Sequence, residues 1–336
     1  MNIQRSFVLV GILLLLAGCG ETAPEETAEP VVTEVEALPI YISTMTHMEG
    51  IFKDDQVENV FLKHVEDLRW AMDLFDEYGA KLTIESEQSF AKANTKWDLN
   101  FLAEVVERGH GVGTHMDAGF NETSLSALTA DFKENKKLID DLVGAENNRG
   151  MSGGSSGVDW VTAAREAGFE FMDAVTALGY LSMDESLRPE GWTDAYIKKI
   201  VYHDPIPVDF EERIYPRVFE DAQDLESDEE GLVVLFGDVG EFSSLAEGRK
   251  TCGTQCTFDS DDAKAFLAAI DEAEAVRDPS KFARLNMHIP AALLVKENEA
   301  LLRELLAGIQ EYTDAGIAKW ATQVEAYEAF MVHFDQ

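Results

Sequence analysis

Hydrophobic positions along the chain fall into two recurring patterns. Short dense runs alternate with longer stretches whose apolar residues recur every three or four positions. After an apolar run at 7–16 and a polar stretch to about 37, Pro39-Ile-Tyr-Ile-Ser-Thr-Met45 has the density of a buried strand. Residues 57–78 follow with Val60, Phe61, Val65, Leu68, Met72 and Phe75 at helical spacing. The same reading predicts strands at 80–84, 111–115, 169–172, 197–202, 232–236, 284–287 and 317–320. It predicts helices at 99–108, 125–143, 158–167, 263–276 and 294–312, with a last helix after 320. Residues 150–157 are rich in Gly and Ser and are expected to form a loop, and the acid-rich stretch 211–230 an inserted loop with a solvated face. That stretch lacks the ligand spacing of an EF-hand calcium site. Strand–helix alternation of this kind favours an α/β fold on a parallel sheet, open or closed into a barrel.

Composition narrows the class. The 336 residues include 27 basic and 64 acidic ones, a net charge of -37, and 46% are hydrophobic. The length and apolar fraction allow a full core and exclude a wholly disordered chain. Nucleic acid is excluded as a partner, because phosphate attraction needs clustered Lys and Arg. The run at 7–16 follows Arg5 and is too short to span a membrane, so it has the character of a signal-peptide core. Between Arg5 and Lys53 there is no Lys or Arg, and from Gly20 to Ala37 the chain is Glu-, Thr-, Ala- and Pro-rich, as in a flexible tether. Of three cysteines, Cys252 and Cys256 lie four apart with no His nearby. Outside the cytoplasm they are expected to form a disulfide.

In parallel α/β folds, chemistry gathers at the carboxyl ends of strands. Four polar clusters fall there: Thr46-His47-Met48-Glu49-Gly50, His110 with His115 and Asp117, Arg149 with the loop after it, and Asn286-Met287-His288. Converging His and carboxylate side chains are the donor set of a divalent metal site. Because alternate residues at a strand end share a face, His47, Glu49, His115 and Asp117 are one candidate set. His203-Asp204 ends another expected strand, Asp238 ends "LVVLFGD", and His64 and His333 are expected at the surface.

Two resemblances carry these observations further. Leu16-Ala17-Gly18-Cys19 resembles the bacterial lipobox, which implies a signal peptide over 1–18, a lipid on Cys19, a tether over 19–37 and a folded domain over 38–336. The implied location is the bacterial cell envelope, outside the cytoplasm and anchored to a membrane by lipid. From about Pro39 to Phe330 the chain resembles the polysaccharide deacetylase family, carbohydrate esterase family 4. Thr46-His47-Met48-Glu49-Gly50 stands where that family has Thr-Phe-Asp-Asp-Gly. "ERGHGVGTHMD" resembles its Gly-His-Glu-x-Gly-x-His-Thr motif, Arg149-Gly150-Met151-Ser152-Gly153 its Arg-x-Pro-x-Gly motif, Leu285-Asn-Met-His288 its last motif, a hydrophobic stretch ending in His, and "EYTDAGIAKWATQVE" its closing helix and strand. The resemblance implies a distorted (β/α) barrel of the glycoside hydrolase/deacetylase type. It also implies a divalent metal, zinc by preference, and removal of acetyl groups from a polysaccharide or oligosaccharide. By position it makes Glu49 and His115 metal ligands, Arg149 the residue that orients the base, and His288 the general acid. Here the family's base is Met48 and its second metal His is Gly119, so His47 is the replacement ligand and Glu49 or Asp117 the replacement base.

Two other readings stay open. Gly150-Met-Ser152-Gly-Gly154 matches the Gly-x-Ser-x-Gly motif, and Ser152, Asp238 and His288 follow in the order of an α/β-hydrolase esterase, although the "GAENNR" before it is polar and turn-like. A degenerate barrel that binds glycan without turnover is the other, with Trp160, Trp192, Tyr196 and Trp320 as aromatic platforms.

Overall fold

The structure is a computed structural model that describes residues 37–116, 124–154, 156–175, 177–199, 208–225, 231–247 and 256–334. The signal and lipid-attachment residues through Cys19, the tether as far as residue 36, Asp117, Gly119, His203-Asp204 and Cys252 lie outside the described residues. Among the described residues, the strands are β1 (Ile40–Met48), β2 (Thr83–Ser86), β3 (Gly111–Met116), β4 (Gly150–Gly153), β5 (Phe171–Asp173), β6 (Arg217–Phe219), β7 (Leu232–Leu235), β8 (Asp238–Glu241), β9 (Ala283–His288) and β10 (Ala318–Trp320). The helices are α1 (Glu58–Asp76), α2 (Gln88–Lys96), α3 (Phe101–Glu107), α4 (Leu125–Val143), α5 (Trp160–Ala167), the single turns α6 (Asp194–Ile197) and α7 (Phe210–Arg213), then α8 (Ser260–Val276), α9 (Glu299–Asp314) and α10 (Gln323–Phe334). No described helix is long and apolar enough to cross a membrane.

The strands form one sheet in the order β6-β7-β5-β4-β3-β2-β1-β9-β8, with β10 pairing the first residues of β1. All pairings are parallel except β6 with β7. The sheet curls into a half-barrel, as the strand–helix alternation and the family resemblance led one to expect. Its curvature brings Arg284 on β9 against Asp173 on β5, Nη1 to Oδ1 at 2.5 Å, although these strands are far apart along the sheet.

Strand periodicity sorts the side chains into two environments. On β1, Ile40, Ile42 and Met48 face outward into the main apolar core, where they join Phe61, Val65, Leu68, Met72 and Phe75 of α1. Ser43 and His47 fall on the opposite, inner face, where they meet polar groups of other strands. The inner face is therefore polar although it is buried. Arg284 is fully enclosed there, with Nε donating to Ser43 Oγ at 2.8 Å and Nη1 to the Leu235 carbonyl at 2.9 Å. Gln323, the first residue of α10, enters the same interior and donates from Nε2 to Glu85 Oε1 at 3.0 Å and also to Asp173 Oδ2.

Three sequence expectations are corrected, and one helix is added. Residues 150–153, expected in a loop, are β4, which pairs with β3 over 151–153 and with β5 over 150–151. Small residues give no hydrophobic signal, but here they make the pairing possible: a Cβ on Gly150 would lie 2.0 Å from the Phe171 ring. Of the strand expected over 197–202, Ile197 is the last residue of α6, residues 198–199 form a turn, and residues 200–202 lie outside the described ones. The acid-rich stretch 211–230 is not loop throughout, since it contains most of α7 and all of β6. Helix α2 was not foreseen; its buried Phe90, Ala91, Ala93 and Asn94 are too few and too mixed to show a period.

Candidate metal centre

Three elements bring the site together. Strand β1 runs to Met48 and delivers His47 on its inner face, with Glu49 immediately after it. The neighbouring strands β2 and β3 deliver Glu85 and His115, and the pairing places His47 level with Glu85 and His115 level with Ser152 of β4. Gly113 makes room for this: a Cβ there would lie 3.1 Å from Glu85 Cγ and 3.2 Å from Gln323 Oε1.

The imidazoles of His115, His47 and His288 stack in a row, with ring centroids 3.8 Å and 4.3 Å apart. His47, Glu49 and His115 each offer a donor atom, and these atoms lie within 4.8 Å of one another. Glu49 Oε1 is 3.7 Å from His47 Nδ1, and Glu49 Oε2 is 3.7 Å from His115 Nε2. Donor atoms that share one zinc at about 2.0–2.1 Å stand about 3.3 Å apart in a tetrahedron, so small side-chain shifts would close this set on an ion. Both separations are too long for hydrogen bonds.

Whether these residues fit a divalent metal is decided by the outer ring nitrogens. His47 Nε2 is 3.0 Å from Glu85 Oε2, and His115 Nδ1 is 2.8 Å from Ser152 Oγ. His47 Nδ1 is buried and has no hydrogen-bond partner among the described residues. One nitrogen of each ring is thus held from behind, and the other faces Glu49. That is how metal-binding imidazoles are supported. Burial pulls the His47 ring down in pKa, but Glu49 and Glu85 outweigh it and hold the ring up at about 10. The carboxylates that retain a proton there equally draw a divalent cation, whose binding displaces that proton.

A cleft of about 340 Å³ is lined by Gly50 and Met116, the chain neighbours of Glu49 and His115, together with Glu87, Lys92 and Asn135 among others. Glu49 is partly exposed, whereas His47, His115 and His288 are buried.

The remaining expectations fare differently. Met48 points into the apolar core and not into the site. Arg149 is a correction: it precedes β4, at the opposite end from the cluster, where its guanidinium pairs with Glu170 and Glu328 and lies over the Tyr327 ring. An arginine tied down there cannot orient a base beside His47. Ser152 is a strand residue and not the tip of a strand-to-helix elbow, and its hydroxyl donates to Glu85 Oε2 at 2.7 Å. Asp238 stands level with Asn286, not with His288. Burial, reinforced by the charge of Asp173, pushes the Asp238 carboxyl up to about 7. Trp160 and Trp320 are buried, and Trp160 packs edge-on against Tyr180, so these two cannot serve as sugar platforms. His64 is not a bare surface residue either: its Nδ1 is 2.7 Å from the buried Asp54. Sequence reasoning missed Glu85, Asp173 and Arg284. Glu85 was within reach, since it lies one residue past the expected end of β2 and in phase with Thr83.

No protein-family model matches this sequence, and no curated protein matches it either. Solved structures do. A candidate polysaccharide deacetylase from Mycobacterium smegmatis aligns at a TM-score of 0.56 with 10% identity, over 91% of this chain and 94% of that one. PuuE allantoinase aligns at 0.55 with 12% identity, over 88% and 91%. The likeness is one of fold. At such identities it establishes the deacetylase-type (β/α) barrel and leaves the chemistry to the side chains described above.

Proposed function

We propose that this chain is a metal-dependent hydrolase that removes N- or O-acetyl groups from a polysaccharide or oligosaccharide. The observation that carries the proposal is the pair of imidazoles, His47 and His115, each braced at one nitrogen and turned by the other toward Glu49. The deacetylase-type barrel supports the same reading.

A bound divalent metal, zinc by preference, would supply a water of lowered pKa and polarise the acetyl carbonyl. His47, Glu49 and His115 would hold it. His288, stacked on His47, is placed to give a proton to the leaving amine or hydroxyl, as general acid. Glu49 has both oxygens turned toward ring nitrogens, so we assign the base to Asp117, two residues past His115 in the sequence. The cleft beside Gly50, with its polar lining, would seat the sugar. We further propose that the protein sits in the bacterial cell envelope, outside the cytoplasm, tethered by lipid on Cys19 and stiffened by a Cys252–Cys256 disulfide.

Acetate release from acetylated glucosamine and xylose oligomers, by protein stripped of metal and then reloaded with zinc or cobalt, tests the reading. Metal-restored release that falls at least 100-fold in His288→Gln, with zinc uptake intact, is the expected result. The placement of Met48 in the core favours a second reading, glycan binding without turnover. Oligomer binding with no acetate release under any metal would establish it and overturn the first.

A further inference from the structure

We infer that Glu85 is the positioning carboxylate for both imidazoles of the metal centre, reaching one directly and the other through Ser152; the inference rests on the metal reading above. Glu85 is fully buried on β2. Its Oε2 takes the Nε2–H of His47 at 3.0 Å and the hydroxyl proton of Ser152 at 2.7 Å. With its proton given to Glu85, the Ser152 oxygen is free to accept the Nδ1–H of His115 at 2.8 Å. Gln323 holds the other carboxylate oxygen at 3.0 Å.

This arrangement settles a choice that imidazole otherwise leaves open. A neutral ring carries its proton on either nitrogen, and the hydrogen bond at one fixes the lone pair at the other. Glu85 therefore assigns opposite tautomers to the two rings. His47 keeps its proton on Nε2 and presents Nδ1, and His115 keeps its proton on Nδ1 and presents Nε2. Those are the two nitrogens that face Glu49, each at 3.7 Å. A glutamate buried only to fill space has no reason to accept hydrogen from the back of one ring and from the serine behind the other.

The test uses the full chain labelled with 15N-histidine, loaded with zinc alone, with zinc affinity measured by competition against a chromophoric chelator. In the wild type, long-range 1H–15N spectra should show His47 protonated at Nε2 and metal-bound at Nδ1, and His115 the reverse. Ser152→Ala should weaken zinc binding about tenfold and disturb the His115 signals more than those of His47, whose Nε2 is 3.4 Å from the Ser152 oxygen but only 3.0 Å from Glu85. Glu85→Ala should weaken binding by about 10- to 100-fold, in line with the loss of an outer-shell partner, and disturb both rings. Glu85→Gln, with one acceptor oxygen where three donors converge, should fall between wild type and alanine. If Glu85→Ala fails to fold, Ser152→Ala and Glu85→Gln carry the test. Zinc bound by the wild type and by both of these variants within twofold, with unchanged ring signals, would overturn the positioning role and leave the metal reading standing. Absence of zinc binding by the wild type would overturn both.

Discussion

Replacing Arg284 by methionine isolates what holds the interior of the half-barrel together. The side chain is fully buried and is paired with Asp173 Oδ1 at 2.5 Å, with Asp238 among the charges that feel it. It also donates to Ser43 Oγ at 2.8 Å and to the Leu235 carbonyl at 2.9 Å. Methionine fills much of the volume but leaves Asp173 beside Asp238 with no nearby cation on β9. Breaking a buried pair from one side costs about 3–5 kcal/mol, a fifth or more of the ~5–15 kcal/mol that stabilises a typical domain. The loss should depend on pH. Burial already raises the Asp173 carboxyl and holds Asp238 at about 7, and removing Arg284 raises both further. The folded variant then binds more protons than its unfolded chain, so acid relieves it. Urea unfolding followed by tryptophan fluorescence, in chelator so that no metal adds to stability, should show a loss of about 3–5 kcal/mol at pH 8. At pH 5 the loss should be smaller by at least about 1 kcal/mol. A loss below about 1 kcal/mol at both values, or a larger loss at pH 5, would refute this account of the interior.

Asp238→Asn should stabilise the protein at pH 8, because the wild-type carboxyl, raised from 3.8 to about 7 by burial, is ionised there at a cost of up to about 4 kcal/mol. That advantage should shrink as pH falls below about 7 and vanish near 4, and an advantage independent of pH in urea titrations would contradict it. His110, whose Nδ1 accepts the Leu82 N–H at 3.2 Å, is held down at about 4 by burial. Its folded value lies below the ordinary 6.5, so it supports stability above pH 6.5 and loses that support as pH falls toward 4, by up to about 3 kcal/mol. An NMR titration of the His110 ring with a midpoint near 6.5 would count against this. Gly150→Ala should cost about 1–3 kcal/mol, since the added Cβ meets the Phe171 ring at 2.0 Å, and an unchanged urea midpoint would show that the pairing of β4 with β5 is looser than described.

Much of the frame was legible along the chain because its strands are short apolar runs and its helices carry clear periods. Helix α1 buries Phe61, Val65, Leu68, Met72 and Phe75, the residues whose spacing announced it. The convergence of His47, Glu49 and His115 was legible for a related reason, since strand ends in a parallel sheet meet on one rim. What could not be seen is polar or small. Strand β4 is Gly-Met-Ser-Gly, and its pairing depends on the absence of a Cβ beside Phe171, a tertiary fact. The buried acid–arginine interior looked like ordinary charged residues until the sheet curled Arg284 onto Asp173. Arg149 matched a motif in its residue type but stands on the wrong side of its strand, among Glu170, Glu328 and Tyr327. A motif gives no direction; the strand does.

The central claim is that two imidazoles and one carboxylate share a single cation. Anomalous diffraction at the zinc edge, from crystals of the protein grown with zinc, tests it most directly. One peak within about 2.0–2.2 Å of His47 Nδ1, His115 Nε2 and Glu49 is the predicted result. A map with no peak there, or with zinc held by other residues while these three keep their present spacing, would contradict it.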